Sequence, residues 1–289
     1  MRVLYYCIGG GLGHITRFIA WCRYFSIKPA LITNCEQVRS GRISVDANPI
    51  MTPDEADMAN FNSFTAWVKE AITDCRPTKM VIDSFPGGIL GELCDLEQLQ
   101  DISCTYLARI LDLPAYYQRL RGNLPKFTKI WRLEKLDAAQ ENWLASLGAP
   151  IETLTLPYSL TTELDATENI DLSELPANHW LIVHSGDREE LEQLWHFARQ
   201  TAEIEGVTPE FVMVSPGCRP DFLPWQVRHY DIYPADHLIM RAARVFSAAG
   251  FNIMQQMKFC AARHHVLPIP RALDDQFLRC RLCLSVQVR

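Results

Sequence analysis

The sequence predicts an α/β protein built from two parallel-sheet domains, and three observations carry that prediction. Short apolar runs alternate with amphipathic helical stretches along most of the 289 residues, the pattern that βαβ units leave. The runs are continuously apolar rather than alternating, as strands buried on both faces are. The second half of the chain then restarts the pattern of the first, with a strand, a turn of small and polar residues, and a helix.

The first of these units is the most informative. Arg2 to Ile8 reads as a buried strand, Gly9-Gly10-Gly11-Leu12-Gly13-His14 as a glycine-rich turn, and Ile15 to Phe25 as an amphipathic helix. Glycines let a backbone pass close to a ligand and present N–H groups at a helix N-terminus. The turn also places one titratable side chain, His14, at its mouth. Ligands of open α/β sheets bind outside the carboxyl ends of the strands, which makes this turn a candidate site. The plainer alternative is a tight turn with His14 capping the helix. Two small-molecule motifs do not fit. A dinucleotide fingerprint needs glycine at its first, third and sixth positions, and the sixth here is His14. A P-loop ends in Gly-Lys-Ser/Thr, and this turn has no lysine.

Further strands are expected at Ala30–Thr33, Lys79–Asp83, Thr105–Ile110, Glu152–Leu156, Trp180–Ser185, Glu210–Val214, Arg244–Ser247 and His265–Ile269. The stretch Thr161–Ala177 is polar, acidic and poor in aromatics, and reads as a linker. It divides the chain into Rossmann-like domains over 1–160 and 178–289. No fixed-period repeat is present, which argues against a solenoid.

Composition bounds the function. Hydrophobic residues at 48% and charged residues at 21% are those of a soluble globular protein. A net charge of −6 and a pI of about 5.8 argue against a general nucleic-acid binder. No apolar run has bilayer-spanning length, and the N-terminal apolar stretch breaks into glycines too early for a signal peptide. Ten cysteines without a secretion signal point to reduced thiols in a cytoplasm. The lone CxxC, Cys280-Arg281-Leu282-Cys283, has no partner pair and reads as helical spacing.

The second half offers its own candidates. In His184-Ser185-Gly186-Asp187, Ser185 and Gly186 sit where a phosphate or sugar hydroxyl can be held; alternatively Ser185 or Asp187 caps the next helix, Arg188–Glu203. Ala249, Gly250, Phe251 and Asn252 open a helix expected over Ile253–Ala261. Small residues there let a pyrophosphate approach the positive end of the helix. Gln256, inside that helix, can both donate and accept hydrogen bonds. After the last strand come Asp274, Asp275 and Gln276, where paired carboxylates suit either a metal or a helix N-cap. In the first half, Tyr116–Lys135 gathers Arg119, Arg121, Lys126, Lys129, Arg132 and Lys135 among aromatics. It reads either as a peripheral contact for an anionic acceptor or membrane surface, or as a solvated helix with its aromatics turned inward.

Taken in order, Gly10-Gly11-Leu12-Gly13-His14, Asp83-Ser84-Phe85-Pro86, the Ala249-Gly250 helix start and Pro268…Asp274-Asp275-Gln276 resemble glycosyltransferases of the GT-B fold. The pattern is similar to that of the bacterial enzyme that adds N-acetylglucosamine to lipid-linked muramyl pentapeptide, and of predicted glycosyltransferases beside it. The resemblance implies two Rossmann-like domains facing each other across a cleft, the N-terminal one for the acceptor and a short C-terminal one for the donor. It implies a nucleotide-sugar donor, with UDP favoured, and a sugar, lipid-linked or small-molecule acceptor. No metal or cofactor is implied, because helix dipoles and N–H groups stabilise the leaving diphosphate. His14 becomes the candidate base with Asp83 next in line; Gly11 and Gly13 face the diphosphate, Gly250 and its neighbours lie beneath it, and Asp275 and Gln276 lie near the sugar. Gln256 stands where the family usually has a ribose-binding glutamate. The final residues, Leu278–Arg289, look too short for the helix with which such chains cross back to the N-terminal domain. A nucleotide-sugar hydrolase and a non-catalytic nucleotide- or sugar-binding protein are the other two readings.

Overall fold

The computed structural model describes residues 2–158, 175 and 178–287. It divides into two compact units, Met1–Pro157 with Pro270–Arg289, and Tyr158–Ile269.

The first unit runs β1 (Val3–Cys7), α1 (Gly13–Phe25), β2 (Ala30–Thr33), α2 (Glu36–Arg39), β3 (Ile50–Met51), α3 (Phe61–Cys75), β4 (Lys79–Asp83), β5 (Ser103–Ala108), α4 (Leu113–Tyr117), β6 (Phe127–Arg132), α5 (Ala138–Ser146) and β7 (Ile151–Thr153). Its seven strands are all parallel, in the order β3-β2-β1-β4-β5-β6-β7. Every residue of β1 is buried, as its unbroken apolar run requires. In α3, Phe64, Val68 and Ile72 turn inward at helical spacing, and the Asn60 side chain caps the helix by accepting from the Asn62 and Ser63 N–H groups. These side chains join Leu4, Tyr6, Ile82, Tyr106 and Ile130 in one core, each burial contributing about 1.5–3 kcal/mol. The chain lays strands outward on one side of β1, then returns to place β4 on its other side. The reversal creates a switch point at the carboxyl ends of β1 and β4, where α/β sheets bind ligands.

The second unit comprises β8 (Trp180–Val183), α6 (Arg188–Glu205), β9 (Phe211–Val214), β10 (Arg228–Tyr230), α7 (Asp236–Arg241), β11 (Arg244–Ala248), α8 (Phe251–Gln256) and β12 (His264–Leu267). Its parallel sheet has the order β10-β9-β8-β11-β12, so its switch point lies between β8 and β11. Asp187 starts α6 by accepting from the Glu190 N–H at 3.0 Å, and Gly206 ends it in the left-handed region at φ 66°. Two parallel-sheet α/β units of this kind are the components of the GT-B fold.

Each expected strand is present within two residues at its start and three at its end. The structure departs from expectation in four places. First, β3, β6 and β10 are additional strands. Two of them are short edge strands, too brief to leave a pattern. Second, β6 lies inside Tyr116–Lys135, so that segment is not a helix: α4 stops at Tyr117, and Phe127–Arg132 pairs with β5 and β7. Gly122 and Pro125 break any helical run, and Lys129 lies over the Trp131 ring at 3.8 Å and pairs with Glu152 at 2.9 Å. Third, the helix expected over Ile253–Ala261 starts two residues earlier as α8 and gives way to a 3-10 stretch, Met257–Arg263. Fourth, the chain end is long enough to return. Gln276–Gln287 forms α9 and belongs to the first unit, where Leu278 and Leu282 pack on its core and Leu273 packs beside Phe85 and Tyr116. Apart from Leu175, the expected linker Thr161–Ala177 lies outside the described residues. Among those residues no helix is long and apolar enough to cross a membrane.

Candidate active site

His14 is the second residue of α1 and does not cap it; no side chain caps this helix. Its ring turns instead to the end of β4, where Nδ1 lies 2.6 Å from Asp83 Oδ2. A Cβ added at Gly9 would fall on the imidazole, so glycine at that position is what lets the ring lie there. Asp83 is wholly buried and bound by the Arg17 fork, Nε to Oδ1 at 2.5 Å and Nη2 to Oδ2 at 2.8 Å. Such bidentate, charge-assisted pairs are both strong and geometrically specific. An ionised carboxylate only accepts; Nδ1 therefore carries the ring proton, and Nε2 is the basic nitrogen of the neutral imidazole.

The network continues. Ser84 Oγ accepts from Arg17 Nη2 and from Arg109 Nε, each at 2.8 Å. Ser84 sits in the left-handed region at φ 67°, a conformation that costs a non-glycine residue about 1–3 kcal/mol. It is held there by its N–H to the Leu107 carbonyl and by the Tyr106 hydroxyl donating to its own carbonyl at 3.0 Å. Arg109 Nη1 reaches Asp274 Oδ1 at 2.5 Å, Arg279 Nη2 reaches the same oxygen at 2.6 Å, and Arg279 Nε and Nη2 grip Glu134 at 2.8 and 2.9 Å. Three guanidinium groups (Arg17, Arg109, Arg279) thus balance three carboxylates (Asp83, Asp274, Glu134).

The protonation states follow from this surround. Burial pushes His14 below its ordinary value, and that outweighs the opposing pull of Asp83. Burial alone would raise Asp83, but the Arg17 cation and His14 hold it well below the usual carboxylate range. Asp274 is likewise raised by burial and lowered by Arg109 and Arg279, to about 2. Near neutrality the pair is therefore a neutral imidazole oriented by an ionised carboxylate, the arrangement of a poised general base.

The other predicted residues fall into two groups. In the first unit, Gly11 (φ 70°) lies in the turn between β1 and α1, and Gly13 is the first residue of α1. Asp275 and Gln276, expected in the C-terminal domain, also belong to the first unit. Asp275 Oδ1 accepts from the Leu278 N–H at 2.8 Å as the N-cap of α9, and Gln276 is buried in its first turn. Of the two readings for the carboxylate pair, Asp275 takes the cap and Asp274 the ion pairs. No three His, Cys, Asp or Glu side chains among the described residues lie so as to hold a metal ion.

In the second unit, Ser185 and Gly186 follow β8 while Ala249, Gly250, Phe251 and Asn252 follow β11. The two strands pair directly, Ile182 beside Phe246, so both turns lie at the switch point. Asp187, not Ser185, caps α6. Gly186 leaves room for the His184–Glu190 pair, Nε2 to Oε2 at 2.7 Å; a Cβ there would strike both side chains. At Gly250, the start of α8, an added Cβ meets only Ile253 Cγ2, at 3.9 Å. Phe251 is buried edge-on to Tyr158. Gln256 Nε2 donates to Asp236 Oδ1 at 3.2 Å.

Sequence reasoning missed Arg17, Ser84, Arg109, Glu134 and Arg279. One signal was available: Arg17 lies three residues after His14, on a helix face otherwise made of Ile15, Phe18 and Trp21. Charge on a buried apolar face calls for a partner.

No protein-family model and no curated protein sequence matches the chain. Solved structures do. Spinosyn forosaminyltransferase SpnP matches with a TM-score of 0.61 at 14% identity, over 99% of this chain and 83% of its own. UDP-N-acetylglucosamine 2-epimerase from Rickettsia bellii matches with a TM-score of 0.58 at 12% identity, over 96% and 81%. The S. aureus MnaA structure with UDP matches with a TM-score of 0.61 at 8% identity, over 95% and 80%. The likenesses span both units and establish the fold.

Proposed function

We propose that the protein is a glycosyltransferase that moves a sugar from a nucleotide-sugar donor, UDP-linked by preference, to an acceptor hydroxyl. The observation that carries this reading is the His14–Asp83 pair at the switch point of the first unit, with Nε2 as the basic nitrogen. An acceptor hydroxyl gives its proton to Nε2 as its oxygen attacks the anomeric carbon, and the nucleoside diphosphate departs. Asp83, kept ionised by Arg17, stabilises the imidazolium that forms. The small residues Ser185, Gly186, Ala249 and Gly250, with Asn252 and Gln256 nearby, are the donor-binding residues of this proposal.

A second reading is a UDP-N-acetylglucosamine 2-epimerase, because the solved structures of similar fold include UDP-N-acetylglucosamine 2-epimerases. Incubation with UDP-N-acetylglucosamine, with and without an acceptor panel, separates the readings. A transferase releases UDP only when acceptor is present. An epimerase inverts C2 with UDP retained, a hydrolase yields UDP and free sugar from donor alone, and a binding protein gives no product. Donor binding is read separately by thermal shift, since a ligand at a hundred times its Kd stabilises by about 2.7 kcal/mol. No shift with any nucleotide or nucleotide sugar would remove the three enzyme readings and leave only a binder of free sugar.

A further inference from the structure

The imidazole of His14 is faced by Asp83 from β4, by Arg17 from its own helix, by Arg109 from the end of β5, and by the Phe85 ring at 5.7 Å. Arg109 touches neither His14 nor Asp83 in any hydrogen bond. It reaches them through Ser84, whose hydroxyl takes a bond from each of two guanidinium groups and lies 3.3 Å from Asp83 Oδ1. On its far side Arg109 is held by Asp274, which precedes α9 and is itself gripped by Arg279. Arg109 and Arg279 are buried, and the Asp274 side chain between them is only 15% exposed. Taking ions out of water costs several kcal/mol each before pairing offsets it, while Leu273, Leu278 and Leu282 pack the chain end on apolar neighbours. The ions do something that apolar packing cannot: they lead from α9 to the hydroxyl beside Asp83.

We infer that Arg109 and Asp274 are positioning residues for His14: bridged by Ser84, they fix the Asp83–Arg17 pair that holds the imidazole, and they make the returning helix α9 part of the site. The inference deepens the reading of His14 as a base and rests on it for its consequence in turnover. Its physical content is independent of turnover. Arg109 is a buried cation near the ring, and Asp274 is the anion that neutralises it. Removing each should therefore displace the titration of His14 in opposite directions.

The test is the titration of His14 in the full chain without nucleotide, followed by the imidazole nitrogen signals of the 15N-labelled protein and assigned with His14→Gln. Arg109→Met removes the cation and leaves Asp274 paired with Arg279; the His14 midpoint should rise by about half a unit or more. Asp274→Asn keeps the side-chain shape and leaves the Arg109 charge less compensated; the midpoint should fall. Arg132→Met, which breaks a partly exposed pair between β6 and Glu141 of α5, should leave it in place. Shifts of the same sign in Arg109→Met and Asp274→Asn, or no shift in either folded variant, overturn the inference. If Arg109→Met does not fold, Asp274→Asn decides alone, and an unchanged or higher midpoint overturns it. Turnover plays no part in this readout, so failure of the transferase reading and failure of this inference are separate results.

Discussion

The two switch points of this chain are built to the same plan and filled with opposite chemistry. In each, a turn after the first strand of the sheet meets a turn or strand end after the strand that reverses direction. In the first unit the meeting point is ionic and buried, with His14, Asp83 and Arg17 bonded to one another. In the second it is lined by Ala248 at the end of β11 and by Ala249 and Gly250 after it, and the His184–Glu190 hydrogen bond crosses Gly186. Fixed charges at one point suit proton transfer, which needs a base of set tautomer and orientation. Small residues at the other let an anion come close to the backbone, where larger side chains would obstruct it. The same topology therefore carries a buried ionic cluster at one point and small residues at the other, which the proposed function uses as chemical site and binding site; the difference lies in the side chains that the turns admit.

The largest effect that can break this contrast is on turnover. His14→Ala should lower the rate by about 10²–10⁴ while leaving nucleotide affinity as in the parent. Near-parental turnover at saturating substrates would show that the ionic switch point is not the chemical one. Next is stability. Asp83→Ala strands the buried Arg17 cation and should cost about 3–5 kcal/mol, whereas Glu190→Gln retains a hydrogen bond and should cost within about 1 kcal/mol. Denaturant titration of both variants orders them, and a smaller loss at Asp83 than at Glu190 reverses the comparison.

Acid separates the units further. Burial lowers His264 to about 4 and also lowers His229 and His265, all in the second unit. Between the ordinary histidine value and about 4 the unfolded chain binds protons that the folded one refuses, so stability falls as pH falls through that window. His14 adds the same sign in the first unit, but singly. The Asp274 pairs persist until pH drops below the ordinary carboxylate range toward about 2. Hydrogen exchange at pH 5 should therefore show the strands of the second unit opening before β1 and β4.

Two smaller effects sharpen the binding side. Gly250→Ala meets no obstruction in the fold but puts a methyl where the diphosphate is proposed to lie; nucleotide affinity should fall about tenfold, or 1.4 kcal/mol, with the melting temperature of the free protein unchanged. Calorimetric titration with UDP gives the number. Gln256→Glu would turn a hydrogen bond to Asp236 into a like-charge contact, costing about 0.5 kcal/mol of stability. A gain in nucleotide affinity that exceeds that cost would show the side chain leaving Asp236 for the ribose.

Most of the architecture was legible in the residue order, because strands buried on both faces must be apolar throughout and helices must carry a stripe. The glycine turn and His14 were legible for the same local reason: they lie within one strand–turn–helix unit. The chain end was misread because its helix is short and only weakly amphipathic. Its attachment rests on Arg279 and Asp274, whose partners Glu134 and Arg109 are more than 140 residues away. Of the two readings for residues 116–135, the helix fails because basic and aromatic residues satisfy a helix face and a sheet strand alike, until pairing with β5 and β7 decides.

The sequence by itself determined the two parallel α/β units, the glycine turn after β1 and the small residues after β11, each being a matter of local pattern. Only the tertiary structure decided what His14 is. It stands 69 positions from Asp83 in the chain. The reversal of strand order between β1 and β4 sets the two together, and burial then fixes one neutral and the other ionised.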